Sequence, residues 1–306
     1  MGRVEALFGG SNYRRPAGFG GGATRRGDLR TNVSRAVSPA PTPFPSRLAS
    51  AVRDAGSALC VGLDPDLGRL PSGVSRSAAG VVEFCVAITE STRDHAAAFK
   101  PNLAFFEALG PDGWAALADV CAHVHASGRL LVLDGKRGDI GNTGRLYAEA
   151  LYGGLGGDAA TVAPYMGRDS LAPFLAHAGR CAFVLVATSN PGAGDVQALD
   201  VGGEPLYRHV ARMAVGAADG APGDVGFVVG ATRSGVLAGL RAEHPTVPFL
   251  VPGVGVQGGS VGETLEANAG GPVLINVGRS VLYGSAGHDY ASAAHRAAGD
   301  LAAQFR

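Results

Sequence analysis

Lysine is the rarest charged residue of this chain, and both lysines lie in short polar clusters. Of 26 lysines and arginines only two are lysines, Lys100 in AAAFKPN and Lys136 in LLVLDGKRGDIGNT. The lysine ammonium is compact and its pKa responds to burial, so it can donate a proton or, as the neutral amine, attack a carbonyl, whereas arginine stays protonated. We therefore expect both lysines to take part in chemistry.

Two aspartates near Lys136 select among the chemistries open to a lysine. Asp134 lies two residues before it and Asp139 three residues after it. Residues two apart on a strand point to one face, and a neighbouring carboxylate favours the charged ammonium. A Schiff base needs a neutral amine, so the pattern favours Lys136 as a fixed ammonium that stabilises a carbanion and protonates it. Lys100 would complete an alternating array, although a purely structural ion-pair network remains an alternative.

Eight apolar runs must position these side chains. They alternate with longer Ala-rich helical segments, and they span residues 57–64, 95–102, 129–136, 159–165, 181–188, 225–232, 247–254 and 272–279. Apolar runs without polar alternation are typical of strands buried on both faces, and strands that alternate with helices form parallel βαβ units. Eight such units in residues 45–306 predict an α/β fold, and they favour a single (β/α)8 or TIM barrel over an open doubly wound sheet.

The polar clusters follow the ends of these predicted strands, on the face where such barrels build active sites. PGVGVQGG, residues 252–259, follows the seventh run, and NVGRS, residues 276–280, follows the eighth. Glycine lets backbone N–H groups approach an anion, the loops after strands seven and eight often bind phosphate, and Arg279 can bind phosphate oxygens with two hydrogen bonds. The pattern predicts a phosphorylated small molecule whose other end meets the charged array.

The first 44 residues differ in composition from the rest of the chain. Residues 1–48 hold eight arginines against only Glu5 and Asp28, and the segment is rich in Gly, Pro, Ser and Thr. We expect a disordered tail over residues 1–44. An organelle transit peptide and a start codon placed too far upstream are the alternatives.

Composition also excludes several classes of protein. The four cysteines form no CxxC pair and no Cys/His cluster at metal-binding spacing, so we expect a reducing, cytoplasmic location and no metal site. No apolar run approaches the roughly 18 residues of a membrane span. The dispersed aromatic residues form no stacking platform for nucleic acid. We therefore expect neither a membrane nor a nucleic acid as a partner.

The segment DGKRGDIGNT resembles the Asp-x-Lys-x-x-Asp-Ile-x-x-Thr signature of the orotidine 5'-monophosphate decarboxylase family. The resemblance extends over residues 44–306 through VGLDPD, FKPN, ATSNPG, PGVGVQGG and NVGRS, in the order typical of that family. The overall length and the SNPG segment resemble its longer bacterial branch. It implies a homodimeric barrel that converts orotidine 5'-monophosphate to UMP and CO2 without a cofactor, the last step of UMP synthesis.

The resemblance also implies catalytic roles. Lys136 would protonate C6 of the pyrimidine, and Asp134 would lie near the departing CO2. Lys100 would bridge the charged array and the ribose. Asp139 would reach across the dimer interface into the site of the partner.

The substrate-binding residues implied in the same way are Asp64, Ile140, Thr143, Ser189, Pro252, Gln257, Gly278 and Arg279. Asp64 would bind a ribose hydroxyl, Ser189 the pyrimidine ring and Arg279 the phosphate. Pro252 and Gln257 would belong to a mobile loop that closes over the phosphate. Ile140 and Thr143 would accompany Asp139 across the dimer interface.

Two alternatives to this function remain at the level of sequence. One is a sugar-phosphate decarboxylase on the same barrel, which would use its Asp-x-Lys element with a divalent metal to stabilise an enediolate. The other is a barrel that binds a phosphorylated ligand without catalysis. A decarboxylation assay with and without EDTA distinguishes all three.

Overall fold

The computed structural model describes residues 41–254 and 259–305, and it contains eight parallel strands that form one closed barrel in chain order. The strands are β1 (Leu59–Leu63), β2 (Ala98–Pro101), β3 (Leu130–Arg137), β4 (Ala159–Val162), β5 (Cys181–Ala187), β6 (Asp224–Val229), β7 (Phe249–Pro252) and β8 (Val273–Val277). Pairing of β8 with β1, where Asn276 lies opposite Cys60, closes the barrel. The predicted (β/α)8 barrel is confirmed, with one strand in each of the eight apolar runs.

Helices connect the strands and surround the barrel. They are α1 (Phe44–Ala55), α2 (Ala78–Thr92), α3 (Leu103–Glu107), α4 (Pro111–Ala126), α5 (Gly141–Ala148), α6 (Arg168–Leu175), α7 (Leu206–Ala218), α8 (Ser234–Glu243), α9 (Val261–Asn268), α10 (Arg279–Leu282) and α11 (Tyr290–Gln304). A π-helical turn, Glu149–Gly154, extends α5 towards β4.

Two apolar layers explain why the strands lack polar alternation. One layer packs the outer faces of the strands against the helices, and the other fills the inside of the barrel with Leu, Val, Ala and Cys side chains and Phe183. Phe44, the first residue of α1, joins the inner layer and contacts the Phe183 ring edge to face at 5.8 Å. Its backbone N–H donates to Asp224 Oδ2 at 2.8 Å, at the start of β6. Helix α1 therefore closes the amino end of the barrel.

A charged cluster at the amino end of the barrel holds neighbouring strands together. Asp158, just before β4, is buried and lies between Arg47 Nη2 at 2.5 Å and Arg180 Nη1 at 2.9 Å. Its other oxygen accepts from the backbone N–H of Leu131 in β3 at 2.8 Å. Arg47 also donates to the carbonyl of Gly179. This Asp158 cluster (Arg47, Asp158 and Arg180) ties α1 to the starts of three consecutive strands.

Two sequence predictions fall on residues outside the described part of the chain. Residues 1–40 of the predicted tail lie there, and so does Gln257. Phe44, assigned from the sequence to the end of the tail, is instead a fully buried residue of α1. Among the described helices none has the length and apolar character needed to cross a membrane.

Candidate active site

Three of the predicted charged residues meet at the carboxyl ends of β2 and β3. Asp134 Oδ2 accepts from Lys100 Nζ at 2.7 Å, and Asp134 Oδ1 accepts from Lys136 Nζ at 2.6 Å. The side chain of Lys100 is 4% exposed, whereas that of Lys136 is 50% exposed. In this Asp134 cluster (Lys100, Asp134 and Lys136), one ammonium is therefore fixed in the protein and the other faces the mouth of the barrel.

The two ammonium groups keep Asp134 ionised despite its burial. Burial alone would raise its pKa, but the charges and hydrogen bonds of Lys100 and Lys136 outweigh burial and hold the pKa of that carboxyl well below its usual range. Burial would likewise lower the pKa of Lys100, but Asp134 and Asp64 raise that pKa well above its usual range. The buried pair thus stays charged at neutral pH.

The backbone of Lys136 adopts a conformation that is unusual for a residue with a side chain. Its φ is 48°, in the left-handed region that costs a non-glycine residue about 1–2 kcal/mol. The pairing of β3 with β4 shifts register across this point, between Leu133 and Arg137. The Lys136 N–H donates to Thr161 Oγ1 of β4 at 2.9 Å. Strand parity therefore predicted the meeting of Lys136 and Asp134, but not the bent backbone that produces it.

Asp139, Ile140 and Thr143 lie apart from this cluster within one chain. The Asp139 carboxylate accepts from the backbone N–H of Ile140 at 2.8 Å, and no ion pair joins it to a lysine among the described residues. Ile140 is 53% exposed, and Thr143 is exposed in the first turn of α5. The structure therefore places these three residues on the surface beside the barrel mouth.

The Asp134 cluster opens into a cavity of about 510 Å³ at the carboxyl end of the barrel. Leu185, Val228 and Leu250, on β5, β6 and β7, form an apolar wall of this cavity. Ser189 lines it at the end of β5, where a side chain at Gly230 would come within 2.8 Å of Ser189. Glycine at position 230 thus allows the ends of β5 and β6 to approach closely.

A second, smaller cavity of about 80 Å³ adjoins the first, between the ends of β7 and β8. Pro252, Gly278 and Arg279 line it, and Arg279 is exposed at the first position of α10. Asp64 and Pro252 line both cavities. The structure thus brings Pro252, Gly278 and Arg279, predicted to bind the phosphorylated end of the ligand, next to the cavity of the Asp134 cluster, with Asp64 shared by the two cavities.

Two buried oxygens at this junction have no hydrogen-bond partner among the described residues. They are Asp64 Oδ1, after β1, and Asn276 Oδ1, on β8. Burial raises the pKa of Asp64, which Lys100 opposes. Unpaired buried acceptors are costly, so these two oxygens suit the hydroxyl donors of a ligand. Sequence reasoning did not single out Asn276, although its place two residues before Gly278 in NVGRS was a usable signal.

Gln197 is another cavity residue that sequence reasoning missed. It lies beyond the 3-10 turn Pro191–Asp195, and its side chain returns to the end of β5. Its Oε1 accepts from the Thr188 N–H at 2.8 Å, and its Nε2 donates to Thr188 Oγ1 at 2.7 Å. The Thr188 hydroxyl then donates to Asn190 Oδ1 at 2.6 Å. Only the folded segment brings Gln197 back to Thr188, so local sequence carried no signal for it.

The described residues contain no group of three or more His, Cys, Asp or Glu side chains arranged to hold a metal ion. The carboxylate nearest the centre of the site, Asp134, is bonded to two ammonium groups instead. The Asp134 cluster offers charge stabilisation and proton donation by lysine.

Comparison with known proteins assigns the barrel region to a protein family. Residues 57–296 match the model of the family described as orotidine 5'-phosphate decarboxylase / HUMPS. A curated protein named orotidine 5'-phosphate decarboxylase, from Herpetosiphon aurantiacus, is 48% identical over 256 residues, which are 83% of this chain and 95% of that protein. The matched range contains every predicted site residue, from Asp64 to Arg279.

Solved structures show the same similarity in three dimensions. Leishmania donovani OMP decarboxylase has a TM-score of 0.74 at 41% identity, over 86% of this chain and 98% of that chain. Leishmania donovani UMP synthase has a TM-score of 0.77 at 42% identity, over 86% of this chain, but the match spans only 56% of that longer protein. The similarity thus covers the barrel as a unit.

Proposed function

Because this chain belongs to the orotidine 5'-phosphate decarboxylase / HUMPS family, we propose that it converts orotidine 5'-monophosphate to UMP and CO2 without a cofactor. One observation carries the proposal: an ionised aspartate lies between two ammonium groups at one end of a cavity whose other end suits phosphate. That arrangement matches a substrate with a carboxylate on its base and a phosphate on its ribose.

The different exposure of the two lysines supports different roles. Lys136 faces the cavity, so it is the group that stabilises the carbanion at C6 and delivers the proton there. Lys100 is buried and remains charged, so it holds Asp134 in place and extends the array towards the ribose. Asp134 lies where the carboxylate leaves, and it orients the Lys136 ammonium through a 2.6 Å hydrogen bond.

Charge alone does not supply the whole acceleration. Loss of CO2 leaves a vinyl carbanion that no cofactor delocalises. Two unit charges about 4 Å apart interact by about 4 kcal/mol at an effective dielectric constant of about 20. Accelerations at the upper end of those known for enzymes, about 10^17-fold, need about 23 kcal/mol. Binding energy from the remote phosphate must therefore help to position the ring and to exclude water.

The binding residues divide between the two cavities. Arg279 would hold the phosphate beside Gly278, while Pro252 would line the boundary between the cavities. Asp64 Oδ1 would accept from a ribose hydroxyl, which supports its role because the oxygen is buried without a partner among the described residues. Ser189 would contact the pyrimidine ring. Gln257, outside the described residues, keeps its predicted role in closing the loop over the phosphate.

The exposed residues beside the barrel mouth support a homodimer. Ile140 in the β3–α5 connection and Leu146 and Tyr147 in α5 are exposed apolar side chains close to Asp139 in the chain. A second copy that covers them would bring Asp139, together with Ile140 and Thr143, towards the opposite active site. Sedimentation of the full chain at several concentrations tests this assembly, and a monomer at all of them would contradict it.

A decarboxylation assay on orotidine 5'-monophosphate, with and without EDTA, tests the function. We expect equal CO2 release in both conditions. Loss of activity with EDTA would instead favour the metal-dependent sugar-phosphate decarboxylase. Thermal stabilisation by UMP without any CO2 release would favour a barrel that only binds the ligand. Cytoplasmic location stays a prediction.

A further inference from the structure

Thr161 is a buried residue of β4 that contacts both partners of the 2.6 Å pair between Lys136 and Asp134. It is 2% exposed, and it lines the larger cavity. Its hydroxyl oxygen lies 2.9 Å from the backbone nitrogen of Lys136 and 2.9 Å from Asp134 Oδ1. No sequence motif singled it out, since a threonine within AATVAPY looks like any β-branched residue of a strand.

The chemistry of the partners fixes the direction of both hydrogen bonds. A backbone N–H can only donate, so the Thr161 oxygen accepts from Lys136. The ionised Asp134 carboxylate can only accept, so the Thr161 hydroxyl donates to it. One hydroxyl therefore makes both bonds at once, and no other orientation of its hydrogen satisfies both partners.

These two hydrogen bonds bear on the conformation of Lys136. Its backbone has a φ of 48°, and such a conformation persists only where the surroundings impose it. The bond to Thr161 holds the backbone end of the residue, while Asp134 holds the ammonium end. Thr161 also donates to the same Asp134 oxygen that orients the ammonium. The Thr161 side chain, on the neighbouring strand, therefore holds the backbone of Lys136 directly and its ammonium through Asp134.

We propose that Thr161 is a positioning residue, which holds Lys136 in its left-handed conformation and aligns the ammonium with the reacting carbon. Its effect on turnover rests on the proposed function, whereas its effect on the Lys136 backbone does not. Thr161→Val keeps the branched shape and removes the hydroxyl. Thr161→Ser keeps the hydroxyl and removes the methyl group.

The kinetic test compares these two variants with a matched control. Thr161→Val should lower kcat by about 10- to 100-fold, the range expected for a hydrogen bond to a charged group. The Kd for UMP should change by less than about threefold, because UMP lacks the carboxylate that the array faces. Thr161→Ser should restore most of kcat. Thr92→Val removes an equally buried hydroxyl, bonded at 2.7 Å to the Ile88 carbonyl of α2, and should leave kcat unchanged.

The presence of only two lysines permits a second measurement that does not depend on activity. Selective labelling with 15N-lysine gives only two backbone amide signals, from Lys100 and Lys136. In Thr161→Val the Lys136 amide should exchange with solvent at least about tenfold faster. The Lys100 amide serves as the internal control and should keep its rate.

The outcomes separate this proposal from the proposed function. The positioning role would be overturned if Thr161→Val kept the kcat of the unsubstituted chain. It would also be overturned if the Lys136 amide of that variant were still protected from exchange to the same degree. An equal loss of kcat in Thr92→Val would overturn it too, because the effect would then follow from lost stability. An unsubstituted chain that releases no CO2 would contradict the proposed function, while the exchange of the Lys136 amide would still decide whether Thr161 holds it.

Discussion

Two aspartates of this barrel each lie between two cations, at opposite ends. In the Asp158 cluster at the amino end the cations are arginines, and in the Asp134 cluster at the carboxyl end they are lysines. The arginines also donate to backbone carbonyls, and Asp158 accepts from a backbone N–H, so the cluster fastens chain segments together. The lysine side chains both donate to Asp134, and one of them is half exposed.

This comparison explains why a chain that otherwise uses arginine retains two lysines. A guanidinium fork with several donors suits a cluster that joins an aspartate to carbonyls. A proton donor needs a compact group that can lose its proton, which arginine does not provide. The two aspartate clusters therefore use different cations, since the arginines tie α1 to the starts of three strands and the lysines are found where the proposed chemistry occurs.

Removal of the Lys136 ammonium gives the largest expected effect. Lys136→Ala should lower kcat for CO2 release by about 10^4-fold or more, because both proton donation and charge stabilisation are lost. UMP binding, measured by calorimetry, should persist because Arg279 and the phosphate cavity are untouched. Arg180→Ala, in the Asp158 cluster, is the matched control and should keep kcat. Retained turnover in Lys136→Ala would refute the role of this lysine.

Exchange of the two cation types tests the comparison directly. Lys136→Arg keeps the charge but removes an accessible proton, so we expect kcat to fall by about 10^3-fold. The reciprocal change, Arg180→Lys, should leave kcat unchanged and lower the free energy of unfolding by less than about 1 kcal/mol, because the pair is partly exposed. A Lys136→Arg variant with normal kcat would show that charge alone is sufficient.

Loss of the carboxylate charge at the amino end should reduce stability and leave catalysis intact. Asp158→Asn keeps the shape of a buried side chain but weakens its bonds to Arg47 and Arg180. We expect the free energy of unfolding in urea to fall by about 1–3 kcal/mol. The kcat of the folded variant should stay within about twofold of the original. A large loss of kcat at unchanged stability would contradict the assignment of this cluster to the fold.

The two ends of the barrel also differ in how far the sequence alone predicted them. The apolar runs predicted all eight strands, and strand parity placed Asp134 and Lys136 together because residues two apart share a face. Lys100 was predicted to join them because adjacent parallel strands end at the same face of the barrel. The Asp158 cluster was not predicted, since its members are far apart in the chain and carry no motif.

The missed residues of the site share a physical reason. Thr161 has the residue type expected for a strand, and only the register shift of β3 brings its hydroxyl to the Lys136 backbone. Gln197 reaches Thr188 through a folded segment whose path no local pattern indicates. Phe44 was assigned to the tail because its neighbours before it are polar and Pro-rich, although its ring packs inside the barrel. Each case depends on tertiary contacts.

The smallest expected effect is that of pH on the Asp134 cluster, because the charges of Asp134 and Lys100 should not change near neutral pH. The folded pKa of Asp134 is lowered, so its contribution to stability is present above the ordinary pKa of about 4 and is lost as pH falls. The folded pKa of Lys100 is raised, so its contribution is present below the ordinary pKa of about 10.4 and is lost as pH rises. Both groups therefore stay charged between about pH 5 and about pH 9.

Because Asp134 and Lys100 do not titrate over that range, we expect their ionisation to change kcat at saturating substrate by less than about twofold. Asp64 behaves differently, since burial raises its pKa, so affinity for UMP should weaken on the acidic side as this carboxylate is protonated. Asp64→Asn should bind UMP less tightly at neutral pH and show a smaller acidic decline, because only the phosphate of UMP, with a pKa of about 6, then titrates. A kcat that declined equally on the acidic side in both proteins would exclude Asp64 as the titrating group. If Asp134→Asn removed that decline, the lysines would not hold Asp134 ionised.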